Sequence, residues 1–69
     1  MVGQRIKAYL EENGIKQVFL SEKCDISPMI LSKMLSGERE IKVMEYYRIC
    51  QALKVDMMKF IADGETELG

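Results

Sequence analysis

The chain has no histidine and no tryptophan, and among its 69 residues it has one proline and two cysteines, Cys24 and Cys50. Without histidine, and with no CxxC pair, neither a zinc site nor a disulfide framework is signalled, and both cysteines read as small buried apolar residues. No serine or cysteine has an evident base partner, and no glycine-rich loop is built to cradle a phosphate, so the expected function is not enzymatic. Glu11 and Glu12 are adjacent, point apart on a helix, and read as a solvated face. No apolar run approaches the roughly 20 residues of a membrane span, and none resembles a leader. With two free thiols, the expectation is a soluble cytoplasmic protein without cofactor, metal or small-molecule ligand.

A surplus of positive charge is missing too. The formal net charge is -1, but Asp63, Glu65 and Glu67 fall in the last seven residues, so residues 1–62 carry ten basic side chains against eight acidic ones. That net of +2 permits a polyanionic partner without arguing for one.

What is present is 48% hydrophobic content, distributed with helical periodicity. A chain this short supports one domain, expected over residues 1–62, followed by a frayed acidic tail over 63–69. Ile6, Tyr9 and Leu10 predict a first helix over residues 3–13, stopped by Asn13-Gly14. Val18, Leu20 and Cys24, with Ile15 ahead of them, predict a short second helix from Lys16 to about Asp25. Ser27 is placed to cap a third helix that opens on Pro28 and ends at Gly37, with Leu31, Met34 and Leu35 on its apolar side. After a polar loop over residues 38–42, Tyr46, Ile49, Cys50 and Leu53 predict a fourth helix over 43–53. Asp56 is placed to cap a fifth helix holding Met57, Met58, Phe60 and Ile61, stopped by Asp63-Gly64.

Two short helices joined by a tight turn are what a helix-turn-helix requires. Ser21 supplies a small residue where they cross, and Asp25 supplies the left-handed turn position less cheaply than glycine. Leu20, Cys24, Ile26, Leu31 and Met34 then pin the pair to the rest of the domain. The element lies between Gln17 and Ser36.

In their order and spacing, the segments GQRIKAYLEENGIKQVFLSEKCDIS, SPMILSKMLSGE and YYRICQALKVDMMKFI make the chain resemble the Cro/repressor (XRE-type) helix-turn-helix family of bacterial and phage regulators. The resemblance implies an all-α, compact five-helix fold like that of lambda repressor, with the helix-turn-helix at helices two and three. It implies a sequence-specific, repressor-like regulator that binds double-stranded DNA, with Ser27 to Ser36 in the major groove. By the same resemblance Gln17 contacts the DNA backbone at a helix N-terminus, and Lys16 is a further phosphate candidate. Ser27, Pro28, Met29, Ser32 and Lys33 match positions inserted in the groove, where Lys33 can donate to guanine and Met29 can only make apolar contact. Arg39 and Lys42 match a loop that reaches phosphate. The resemblance also implies a homodimer on a palindromic site, for which Met57, Met58 and Ile61 are the candidate surface.

The departures matter as well. Family members often pair an arginine on the first helix with a glutamate near the end of the recognition helix; the corresponding positions here are Leu10 and Leu35, which are expected to touch. Asp25 and Lys54 stand where glycine is usual. The recognition face lacks arginine, asparagine and glutamine and displays Pro28 and Met29. The alternative function is therefore a protein-interaction module using the same surface, antirepressor- or antitoxin-like.

Overall fold

The computed structural model describes residues 2–61, and among these there are four helices and no strand: α1 (Val2–Glu12), α2 (Gln17–Cys24), α3 (Pro28–Ser36) and α4 (Val43–Leu53). The expected tail, the Asp63-Gly64 stop and the last residue of the expected domain lie outside the described residues. Among the described residues no helix is long and apolar enough to cross a membrane.

All four helices end by the same device. Each is followed by a residue in the left-handed conformation, Gly14 at φ 65°, Asp25 at φ 59°, Gly37 at φ 90° and Lys54 at φ 59°. The next residue then donates its N–H five positions back: Ile15 to Leu10 at 2.8 Å, Ile26 to Ser21 at 3.1 Å, Glu38 to Lys33 at 2.9 Å and Val55 to Cys50 at 3.0 Å. These bonds satisfy carbonyls that a helix end leaves open. At three of the four ends the residue just past the turn is apolar and packs on the core: Ile26 is buried, and Ile15 and Val55 are partly so.

The left-handed conformation costs an L-residue roughly 1–2 kcal/mol relative to glycine. Lys54 is exposed there. Lys54→Gly is therefore expected to stabilise the domain by about 0.5–1 kcal/mol after glycine's greater entropy loss, read as a raised urea midpoint at unchanged slope.

α1 packs on α3, and α2 packs on both α3 and α4. Ile6 and Leu10 of α1, Leu31 and Leu35 of α3, Leu20 of α2 and Ile49 of α4 are each at most 1% exposed, forming one core. Leu10 and Leu35 thus belong to the same core, on two helices that pack together. Cys24 and Cys50 are free and buried, and burial pushes both thiols above their ordinary range.

The apolar pattern overstates what is buried and what is helical. Val18 helps to mark the second helix, yet it is 51% exposed, and only Leu20, Ser21 and Cys24 of α2 are buried. An eight-residue helix packed along one side has no room for a wider stripe. Nor is the expected fifth helix formed over the described residues 56–61. Residues 56–61 instead form turns closed three residues back, Lys59 to the Asp56 carbonyl at 3.0 Å and Ile61 to the Met58 carbonyl at 3.3 Å. Asp56 does act as a local acceptor, taking the Met58 N–H at 2.8 Å. So short a segment gains little from propagating a helix, and its carbonyls are claimed from elsewhere. The Tyr46 hydroxyl donates to the Met57 carbonyl, and Arg5 Nη1 donates to the Phe60 carbonyl at 3.2 Å. Burial pushes the Tyr46 phenol up to about 12, so it stays a proton donor across the ordinary pH range. Phe60 is buried and meets Tyr9 and Tyr46 edge-on, with ring centroids 5.5 and 6.5 Å apart. These contacts bind the segment to α1 and α4 without a helix.

Candidate nucleic-acid interface

The turn between α2 and α3 is Asp25, Ile26 and Ser27, and every part of it has a local cause. Ser21, a small residue 3% exposed, donates its Oγ–H to the Val18 carbonyl at 2.7 Å, and its carbonyl accepts the Ile26 N–H that closes α2. Asp25 takes the left-handed position and Ile26 anchors the turn in the core. Ser27 stands in extended backbone and accepts the Ile30 N–H on its Oγ at 3.2 Å, while Pro28 opens the helix where no amide is needed.

Because Leu31, Met34 and Leu35 face the core, the other side of α3 is presented outward. Ser27, Pro28, Met29, Ser32 and Lys33 are all exposed, Met29 at 70%. These five expected contact residues are therefore all open to solvent, four on α3 and Ser27 at its cap. At the start of α2, Lys16 is exposed in extended backbone and Gln17 is half-buried at the first helical position. The α2 N-terminus leaves amides whose partial positive charge suits an anion.

The loop after α3 is organised differently from what the sequence suggests. Arg39 forms a two-pronged ion pair with Glu45, Nη1 to Oε1 at 3.2 Å and Nη2 to Oε2 at 3.1 Å. Glu45 also accepts the Lys42 N–H at 2.9 Å, so one carboxylate caps α4 and holds the loop. The hydrogen bonds from Arg39 keep the Glu45 carboxyl below its usual range. This support is in place above the ordinary carboxylate pKa and is lost as pH falls through the lowered value. A phosphate at Arg39 would have to share a guanidinium already engaged on one edge. Lys42 is exposed and has its ammonium available at the start of α4.

Sequence reasoning missed Glu45, although its place three residues after Lys42 is the capping-box spacing. It also missed Phe19, which is 49% exposed two residues after Gln17, with Lys23 Nζ 5.4 Å from its ring centroid. The exposed apolar residues of the helix-turn-helix are therefore Val18, Phe19, Met29 and Ile30.

A separate apolar groove of about 590 Å³ lies between the start of α1 and the start of α4, lined by Val2, Met34, Ile41, Val43, Met57 and Ile61 among others. Of the expected dimer residues, Met57 and Ile61 line this groove, whereas Met58 is 59% exposed. Val43 and Met44 at the head of α4 are 75% and 62% exposed. Among the described residues there is no group of three or more histidine, cysteine, aspartate or glutamate side chains placed to hold a metal ion.

Residues 6–60 match a family model described as helix-turn-helix. No curated protein and no solved structure matches the chain.

Proposed function

Since the chain belongs to the Cro/C1-type XRE helix-turn-helix family of DNA-binding regulators, we propose that it binds double-stranded DNA sequence-specifically and represses transcription by occupying its site. The observation that carries this reading is the outward side of α3, where Pro28, Met29, Ser32 and Lys33, with the capping Ser27 ahead of them, are exposed on a helix whose Leu31, Met34 and Leu35 are locked in the core. Lys33 reads a guanine edge, and Ser32 bonds a base edge or phosphate. Gln17 and Lys16 hold the backbone at the α2 N-terminus, and Lys42 adds a phosphate contact, with Arg39 contributing from within its Glu45 pair. The near-neutral charge of the chain makes each of these cations count.

The protein acts as a two-fold dimer. The groove lined by Met57 and Ile61, with Val43 and Met44 exposed beside it, gives a small domain an apolar surface for a second copy. A dimer places two recognition helices about one DNA turn, ~34 Å, apart on a palindromic site.

Selection from a random duplex pool tests the reading. The expected result is an enriched palindrome, bound by two chains in sedimentation, with log K falling by about 0.9 per phosphate neutralised as log salt rises. Lys33→Ala is expected to relax preference at one base position per half-site while leaving the rest of the site intact. No enriched sequence, or an affinity indifferent to salt, overturns DNA binding and turns attention to a protein partner for the exposed Phe19 and Met29.

A further inference from the structure

We infer that the recognition face reads the C5-methyl groups of pyrimidines, thymine or 5-methylcytosine, through Met29 at the N-terminal end of α3. The inference rests on the DNA-binding reading and supplies the chemistry by which that site tells one sequence from another.

The polar inventory of the face is smaller than its residue list suggests. Ser27 Oγ accepts the Ile30 N–H as the helix cap. Ser36 Oγ is engaged with the Lys33 carbonyl at 3.1 Å and with Glu38 Oε2 at 3.1 Å. Pro28 has no amide hydrogen to offer. Ser32, Lys33 and the remaining Ser27 O–H are left to make polar contacts with base edges, and none of them can make the bidentate contact of an arginine, asparagine or glutamine.

Beside them Met29 is 70% exposed and Ile30 is 38% exposed, in the first turn of the helix. Residues near the N-terminus of a recognition helix are the ones that meet base edges. An apolar side chain pressed against a donor or acceptor there leaves that group without its water and without a partner, which is unfavourable. The major groove presents one apolar feature, the methyl group at pyrimidine C5. Met29 therefore disfavours bases that project only polar groups and favours those that carry the methyl. Its unbranched thioether can reach a methyl without demanding one fixed geometry.

Four versions of the selected duplex test this: the natural one, one with uracil replacing every thymine, and two in which cytosine or 5-methylcytosine, each paired with guanine, replaces the thymine at each selected position in turn. Uracil keeps every hydrogen-bonding group of thymine and lacks only the methyl. The native protein is expected to bind the uracil duplex about fourfold more weakly per contacted methyl, the scale of burying one such group. At the contacted position, 5-methylcytosine should bind better than cytosine by a similar factor. Met29→Ala, on an exposed site that leaves folding intact, should abolish the thymine-to-uracil ratio without changing the salt slope. Equal affinity of the native protein for thymine and uracil duplexes overturns methyl readout while leaving DNA binding standing, as does a ratio that survives Met29→Ala. Failure to enrich any duplex removes both readings.

Discussion

Gly3→Ala is expected to destabilise the domain by about 3 kcal/mol, a large part of the several kcal/mol available to a chain of this size. A Cβ built on Gly3 falls 2.2 Å from the Met34 carbonyl oxygen, 3.2 Å from its carbon and 3.3 Å from Leu35 Cα. All three atoms are backbone, so no side-chain rotation relieves the clash. Either α1 or α3 must move as a body, and each is buried against the shared core through Ile6 and Leu10 on one side and Leu31, Met34 and Leu35 on the other. The expected observation is a urea midpoint lowered by half or more at little-changed slope. The exposed neighbour supplies the control, because Gln4→Ala should leave the midpoint nearly unchanged or slightly raised. An alanine at position 3 that left stability intact would contradict the close approach of the two helices. Because the opposite side of α3 is the proposed recognition face, partly folded Gly3→Ala protein should also bind its duplex less tightly. Raising the fraction folded, for instance with Lys54→Gly, should recover some of that affinity.

The sequence shows Gly3 only as the beginning of a helical pattern. Its role depends on which helix lies across it, and that is set by residues more than thirty positions away. The same division runs through the chain. Ser27, Pro28 and Gly37 mark the ends of α3 because capping is local chemistry between neighbours, and α4 is legible for similar reasons of period. Asp25 and Lys54 are legible as left-handed sites despite their side chains because they stand where the resembled family usually has glycine, and the apolar residue after each turns back onto the core. What escapes is decided by tertiary competition. Residues 56–61 have a cap and an apolar pattern, yet Tyr46 and Arg5 claim the carbonyls a helix would use. Val18 has the hydrophobicity of a core residue but sits on the outward side of a helix too short to bury it. Arg39 carries the charge expected at a phosphate, but Glu45, six residues on, engages it first. The exposure of Pro28, Met29, Ser32 and Lys33, the residues proposed to face DNA, is legible because they are what remains of α3 once its core stripe is assigned.

Leu35→Glu is expected to be the other severe substitution, costing about 3–5 kcal/mol through an unpaired charge in the core. Leu35 is 1% exposed, as is Leu10, and the helices that carry them pack together. A carboxyl buried alone has its pKa raised. The variant should therefore be least destabilised below the unfolded carboxyl pKa of about 4, losing stability as pH rises through the folded value. The resemblance to relatives with an arginine and a glutamate at these positions gives a sharper test than the single change. If Leu10 and Leu35 meet across the α1–α3 contact, Leu10→Arg combined with Leu35→Glu should be more stable than the sum of the two single losses by about 2 kcal/mol. The double variant should also lose most of the single variant's pH dependence, because the guanidinium keeps the carboxylate ionised. Additive losses would mean that the two leucines occupy separate parts of the core. A coupled pair that still falls short of the native chain would show why two leucines serve here: they fill the same space between α1 and α3 without charges that must first be taken out of water.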